Sequence, residues 1–324
     1  MKLTSLEICS GAGGQALGLE MAGFHHAALV EIDSAACATL RFNRPSWNVI
    51  EGDVSKFSGL PFRGSIDLLA GGVPCPPFSK ADKQLGAGDE RDLFPEAMRL
   101  VAEIRPRAVM LENVRGLFDP VFKSYRTTLD SQFEKLGYEA HWRLLHASDF
   151  GVSQLRPRVV LVAIAKVVSG EFAWPAPGLP KPPHVGDLLH DLMAADGWQC
   201  AKSWKKSAAG IAPTLVGGSK KHGGPDLGPT RARKAWAALG VDGLGIANAP
   251  PAKDHIGMPR LTVRMAARVQ GFPDSWHFVG KKTPAYRQVG NAFPPPVAAA
   301  VGRQIASLLT GVSVDSQVNA LEAA

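Results

Sequence analysis

Between residue 3 and about 165, short runs of β-branched and apolar residues alternate with stretches whose apolar positions recur at helical spacing. That alternation predicts an α/β fold, a doubly wound and mostly parallel sheet with helices on both faces. The runs place strands near 3–9, 27–32, 47–50, 66–71, 107–112, 139–147 and 158–165. Gln15 to Ala22, Ser34 to Asn43, Leu93 to Ile104 and Phe122 to Leu136 read as helices between them, with Ser34 and Asp92 as N-caps. Sheets of this kind bind ligands beyond the carboxyl ends of their strands.

After Lys166 the alternation stops and prolines, glycines and tryptophans take over, as in Trp174-Pro175-Ala176-Pro177-Gly178 and Gly217-Gly218-Ser219-Lys220-Lys221-His222-Gly223-Gly224. Residues 166–259 therefore read as a second, smaller, loop-rich and irregular domain. Helical spacing returns from Leu261 through Gln270, and Pro294 to Leu309 reads as a proline-started helix with Val297, Val301, Ile305 and Leu308 on one face. That helix is expected to rejoin the first domain, giving a catalytic and cofactor-binding unit of 1–165 plus 260–311. Residues 312–324 read as a disordered polar tail.

Composition narrows the function classes. The chain has 324 residues, 45% hydrophobic and 20% charged, as in an ordinary globular protein. Its four cysteines, Cys9, Cys37, Cys75 and Cys200, are widely spaced, which indicates neither a disulfide framework nor a metal cluster. With no signal peptide pattern and no membrane-length apolar span, a reducing cytoplasm is the expected location. The net charge is +7. Between Asp196 and Arg260 ten basic residues face four acidic ones, a surplus of +6, so nearly all of the excess lies in that segment. Basic residues interleaved with Trp174, Trp198, Trp204 and Trp236 suit phosphate contact and base stacking; they equally suit a solvated face over a small tryptophan core.

Three segments carry candidate chemistry. Gly72-Val73-Pro74-Cys75-Pro76-Pro77-Phe78-Ser79 holds a cysteine just beyond the strand at Ile66 to Ala70, in a loop whose prolines restrict its shape. A thiol so placed is a candidate nucleophile, although an isolated cysteine is more often a small buried hydrophobe. Glu7-Ile8-Cys9-Ser10-Gly11-Ala12-Gly13-Gly14 follows the first strand and opens the first helix, where glycines admit a ligand close to the backbone. Glu31 ends the second strand and Asp53 follows the third, two carboxylates suited to a ribose and an adenine amine, or simply to a surface or a helix cap.

These segments, with Glu112-Asn113-Val114, Gln154-Leu155-Arg156-Pro157-Arg158, Arg264 to Pro273 and Gln288-Val289-Gly290-Asn291, resemble the ordered motif set of cytosine-C5 DNA methyltransferases. The resemblance covers residues 3 to about 165 and 260 to 310. It implies a Rossmann-like class I methyltransferase that moves a methyl group from S-adenosylmethionine to carbon 5 of a flipped-out cytosine, leaving S-adenosylhomocysteine. By resemblance, Cys75 adds to carbon 6, Glu112 holds a proton at ring N3, and Arg156 and Arg158 supply fixed positive charge near the base and the thiolate. The cofactor would lie on Cys9, Gly11, Gly13, Gly14, Glu31, Ile32, Asp53, Val54, Pro74, Leu93, Asn291 and Ala292. DNA would meet Ser79, Thr214, Lys220, Lys221, Arg231 and Arg233, with Thr214-Leu215 in the place of the family's short Thr-Leu signature. Two positions depart from the family: Cys9 stands where Phe is usual, and Pro76 where Gln is usual. The implied partner is duplex DNA, with no metal and no membrane, a monomeric and nucleoid-associated state, and a companion restriction endonuclease as a further expectation. An RNA cytosine-5 methyltransferase acting on tRNA and a catalytically silent DNA-binding protein are the competing readings.

Overall fold

A computed structural model describes residues 2–74, 92–178, 180–217 and 226–316. Seven strands, β1 (Leu3–Ile8), β2 (Phe24–Glu31), β3 (Val49–Glu51), β4 (Leu68–Gly71), β5 (Ala108–Val114), β6 (Tyr138–His146) and β7 (Pro157–Ala165), form one sheet in the order β3-β2-β1-β4-β5-β7-β6. Pairs among β1 to β5 are parallel, whereas β7 runs antiparallel to both β5 and β6. The order reverses between β1 and β4, so the carboxyl ends of these two strands flank the topological switch point at which such sheets take their ligands.

The central strands are apolar on both sides because both faces are covered. Leu69, Val109 and Leu111 face one core with Phe94, Leu100 and Val101 of α3 (Phe94–Ile104) and Phe133 of α4 (Lys123–Lys135). Leu68, Ala70, Ala108 and Met110 face another with Leu19 of α1 (Gly14–Met21). Val297, Val301 and Ile305 belong to that second core, carried by the C-terminal helix Pro295–Thr310, which rejoins the sheet as its spacing implied. The contact with α1 is close: a Cβ on Gly18 would lie 2.4 Å from the Pro295 carbonyl oxygen.

Helix α2 (Ser34–Asn43) is capped by Asp33, not Ser34; the Asp33 carboxylate accepts the backbone N–H groups of Ala35 and Ala36. Ahead of α3, Asp92 Oδ1 accepts the Phe94 N–H at 3.1 Å.

The second region is less irregular than its composition suggested. It contains α5 (Val185–Ala194), α6 (Ala201–Ser207) and α7 (Thr230–Ala238), followed by α8 (Val263–Val269), α9 (Lys282–Asn291) and the C-terminal helix, α10. Three of its tryptophans are core residues: Trp198, Trp204 and Trp236 are buried, while Trp174 is half-buried, and the indole nitrogens of Trp198 and Trp204 donate to the His255 and Gly240 carbonyls. Base stacking on the three buried rings is thereby excluded, and the small-core alternative holds. The core is continuous with that of the sheet unit, since Ala16, Leu17, Leu29 and Leu40 belong to the same buried cluster as Trp236 and Val241.

Candidate active site

A cleft of about 350 Å³ opens at the carboxyl ends of β1, β2 and β4. Eleven of the twelve residues expected to hold a cofactor line it: Cys9, Gly11, Gly14, Glu31, Ile32, Asp53, Val54, Pro74, Leu93, Asn291 and Ala292. Gly13 is the exception and has another task. Its φ of 87° turns the chain into α1, and a Cβ there would stand 2.7 Å from Leu40 and 2.8 Å from Trp276, so it is confined by packing rather than by ligand. Gly11, at φ 53°, has open space where its side chain would be.

The acids are held by backbone donors. Glu31 accepts the N–H groups of Gly11 and Asp33, both at 2.7 Å, and burial raises its carboxyl above the usual range against those bonds. Asp53 accepts the Ser55 N–H at 2.9 Å, and bonds to Ser55 hold its carboxyl low, so it caps a short turn while also lining the cleft. Sequence reasoning missed Glu7. It lies on β1, is fully enclosed, has an Oε2 without a hydrogen-bond partner, and burial raises its carboxyl well above the usual range. Its place four residues before Gly11, at the head of the glycine segment, was legible, but its burial was not.

At one edge of the cleft Glu112 Oε1 lies 2.7 Å from Arg158 Nε. Burial raises the Glu112 carboxyl, with Arg158 and Arg156 pulling the other way, so the acid is biased toward keeping a proton beside fixed positive charge. A Cβ on Gly72 would lie 3.4 Å from Glu112 Oε2, which puts the acid against the first residue of the cysteine segment. Asn113 holds that segment too, donating from Nδ2 to the Val73 carbonyl at 3.0 Å. Arg156 lies near enough for its charge to act on Glu112, and it also has a structural task. It is buried, and its two terminal nitrogens donate to the Leu215 and Gly290 carbonyls, each at 2.8 Å. It fastens the second region to α9.

Thr214 Oγ1 donates to the Leu155 carbonyl at 2.7 Å, at the same junction. Arg231 is exposed on α7, and Arg233 is half-buried beside Thr230. Cys75, Ser79, Lys220 and Lys221 lie outside the described residues. The described cysteines are poor nucleophiles where they meet the cleft or core: burial pushes the Cys9 thiol up to about 12 and the Cys37 thiol up to about 11, each reinforced by neighbouring carboxylates.

The donor set fits a nucleoside thioether. Acids follow successive strands, a glycine turn leaves room for close approach, and an orphaned carboxyl oxygen waits at the floor. Such a cleft on a sheet of this order, beside a buried acid–arginine pair, defines a methyltransferase of the Rossmann-like class. The family model for C-5 cytosine-specific DNA methylase matches residues 3–307. Among relatives, the Type II methyltransferase M.NgoMIV of Neisseria gonorrhoeae is 60% identical over 95% of this chain and 99% of its own. M.NaeI of Lentzea aerocolonigenes is 58% identical over 95% of this chain and 75% of its own. Among solved structures, a chain described as a DNA modification methyltransferase encoded within an E. coli prophage shares the fold at a TM-score of 0.68 and 24% identity, over 95% of this chain and 99% of its own. The chain belongs to the C-5 cytosine-specific DNA methylase family.

Proposed function

We propose that this protein methylates carbon 5 of a cytosine extruded from duplex DNA and serves as the modification enzyme of a restriction–modification system. The observation that carries this reading is the Glu112–Arg158 pair, a buried carboxyl held at 2.7 Å from a fixed guanidinium at the edge of a nucleoside-shaped cleft, where burial raises the acid. S-adenosylmethionine is the methyl donor, supplying an electrophilic methyl group when bound. Glu31 would hold its ribose, Asp53 its adenine amine, and Asn291 its methionine end, while Ile32, Val54, Pro74 and Leu93, which line the same cleft, would exclude water from its apolar surfaces.

Cys75 forms the bond to carbon 6, and the electron pair displaced onto the ring is neutralised by the proton that Glu112 shares with N3. Loss of the carbon 5 proton after methylation expels the thiolate and restores the ring. Arg158 keeps Glu112 oriented toward the base. Thr214, Arg231 and Arg233, with Ser79, Lys220 and Lys221, contact the DNA, offsetting the few kcal/mol that flipping costs. The homology of the chain to named Type II methyltransferases supports the restriction–modification setting.

Incubation with duplex DNA and methyl-labelled donor tests the reading. The label is expected in 5-methylcytosine, with Cys75→Ser reducing incorporation to background. Label in adenine, preferred labelling of tRNA, or an unchanged Cys75→Ser variant would reject it.

A further inference from the structure

Beneath the junction of the two units lies a buried chain of amide groups that catalysis does not use. The Leu215 N–H donates to Gln154 Oε1 at 2.8 Å, Gln154 Nε2 donates to Gln270 Oε1 at 2.6 Å, and Gln270 Nε2 donates to the Ala292 carbonyl. Gln154 and Gln270 are both fully buried. All three links have the same polarity, N–H toward O=C, so each polarises the next, in surroundings where an unmade hydrogen bond is costly.

The ends of this chain are informative. Leu215 follows Thr214, the residue proposed to touch DNA near the flipped base. Ala292 and its neighbour Asn291 line the cofactor cleft. Parallel contacts reinforce the same path: Leu155 N–H donates to the Ala212 carbonyl at 2.8 Å, and Arg156 bridges Leu215 to Gly290. There is no slack at the joint, because a Cβ on Gly290 would lie 2.4 Å from the Gly217 nitrogen, and one on Gly217 would lie 2.3 Å from Asn291 Oδ1.

We propose that Gln154 and Gln270 are positioning residues that couple occupancy of the DNA-contacting segment around Thr214 to the shape of the donor pocket at Asn291 and Ala292. The proposal rests on the methyl-transfer reading. A shift of the 212–217 segment on DNA cannot be absorbed locally, so it is carried through the two amides to the cleft wall, and donor binding acts back along the same route by reciprocity.

The test measures the dissociation constant of S-adenosylhomocysteine by titration calorimetry, with and without a duplex that the native protein methylates. The native protein is expected to bind it at least about five-fold more tightly with DNA present, the lower end of ordinary coupling. Gln270→Leu and Gln154→Leu are expected to bring that ratio near one while each ligand alone binds within about two-fold of native. Gln270→Glu supplies a second readout. Its neutral carboxyl both donates and accepts, as the amide does, so coupling is expected at acid pH and is lost as pH rises through its raised value. This variant also decides the matter should the leucine variants fail to fold. A native ratio near one, leucine variants with native coupling, a parallel fall of both affinities at constant ratio, or a Gln270→Glu ratio that ignores pH would overturn the proposal. Absence of methylation by the native protein would instead be failure of the proposed function.

Discussion

Glu112 links a structural cause to a rate. Burial raises its carboxyl, and the Arg158 guanidinium at 2.7 Å keeps it oriented. The protonated acid is the form that neutralises the base, so turnover is expected to fall on the alkaline side as pH rises through the raised value. Glu112→Gln should remove that limb and lower kcat by about 10²- to 10⁴-fold, the range of a general acid, as measured by a pH–rate profile on both proteins. Glu7 gives a companion prediction about stability. Its folded-state carboxyl is raised by burial and by the charge of Glu31, so its contribution is complete below the unfolded value near 4.3 and is lost as pH rises through the folded value. Glu7→Gln is therefore expected to match the native protein below about pH 4 and to exceed it in denaturant midpoint at neutral and alkaline pH.

At the level of elements, helix α1 is pressed against α10 where neither can yield. A methyl group on Gly18 would meet the Pro295 carbonyl at 2.4 Å, the Ala298 side chain at 2.5 Å and the Ala299 nitrogen at 2.8 Å. Gly18→Ala should destabilise the protein by about 1–3 kcal/mol, seen as a lower urea midpoint, because backbone must move to admit it. The same elements show what patterning can reveal. All seven strands were legible, the central ones because runs such as Leu68–Gly71 are buried on both faces and so are continuously apolar. Helix α10 was legible from its apolar stripe. Helices α5, α6, α7 and α9 were not: α6 has only seven residues and α7 buries only Trp236, whereas α5 has a stripe in Val185, Leu189 and Met193 that the flanking prolines and glycines obscured. The cap of α2 moved from Ser34 to Asp33 because two adjacent residues can each accept the same orphan N–H groups, and sequence does not say which side chain turns inward. The cleft residues were legible through the family resemblance, with Glu31 and Asp53 also marked by their places after strands, whereas the bonds of Arg156 to two backbone carbonyls were not. A guanidinium's partners fifty-nine and more residues away depend on how the second region docks.

On the scale of the whole molecule, the charge distribution assigns roles to its parts. Almost all of the +7 lies between residues 196 and 260, while acids Glu7, Glu31, Asp53 and Glu112 line the cleft. DNA affinity is therefore expected to fall steeply with salt, because releasing condensed counterions gains less entropy as the bulk salt concentration rises, whereas donor affinity should change little. Replacing Arg231 and Arg233 together by Gln should flatten the slope of log K against log salt by about two charges' worth and leave donor binding intact, measured by fluorescence anisotropy across a salt series. An unchanged slope would remove α7 from the interface.

The most direct test is covalent capture. A duplex carrying 5-fluorocytosine at the methylated position, incubated with protein and S-adenosylmethionine, should yield a denaturant-stable complex, because fluorine on carbon 5 blocks the departure that frees the enzyme. Peptide mass spectrometry is expected to place the cross-link on Cys75, with no complex from Cys75→Ser. Linkage through Cys9, Cys37 or Cys200, or no complex from a protein that methylates the same duplex, would contradict nucleophilic catalysis by Cys75.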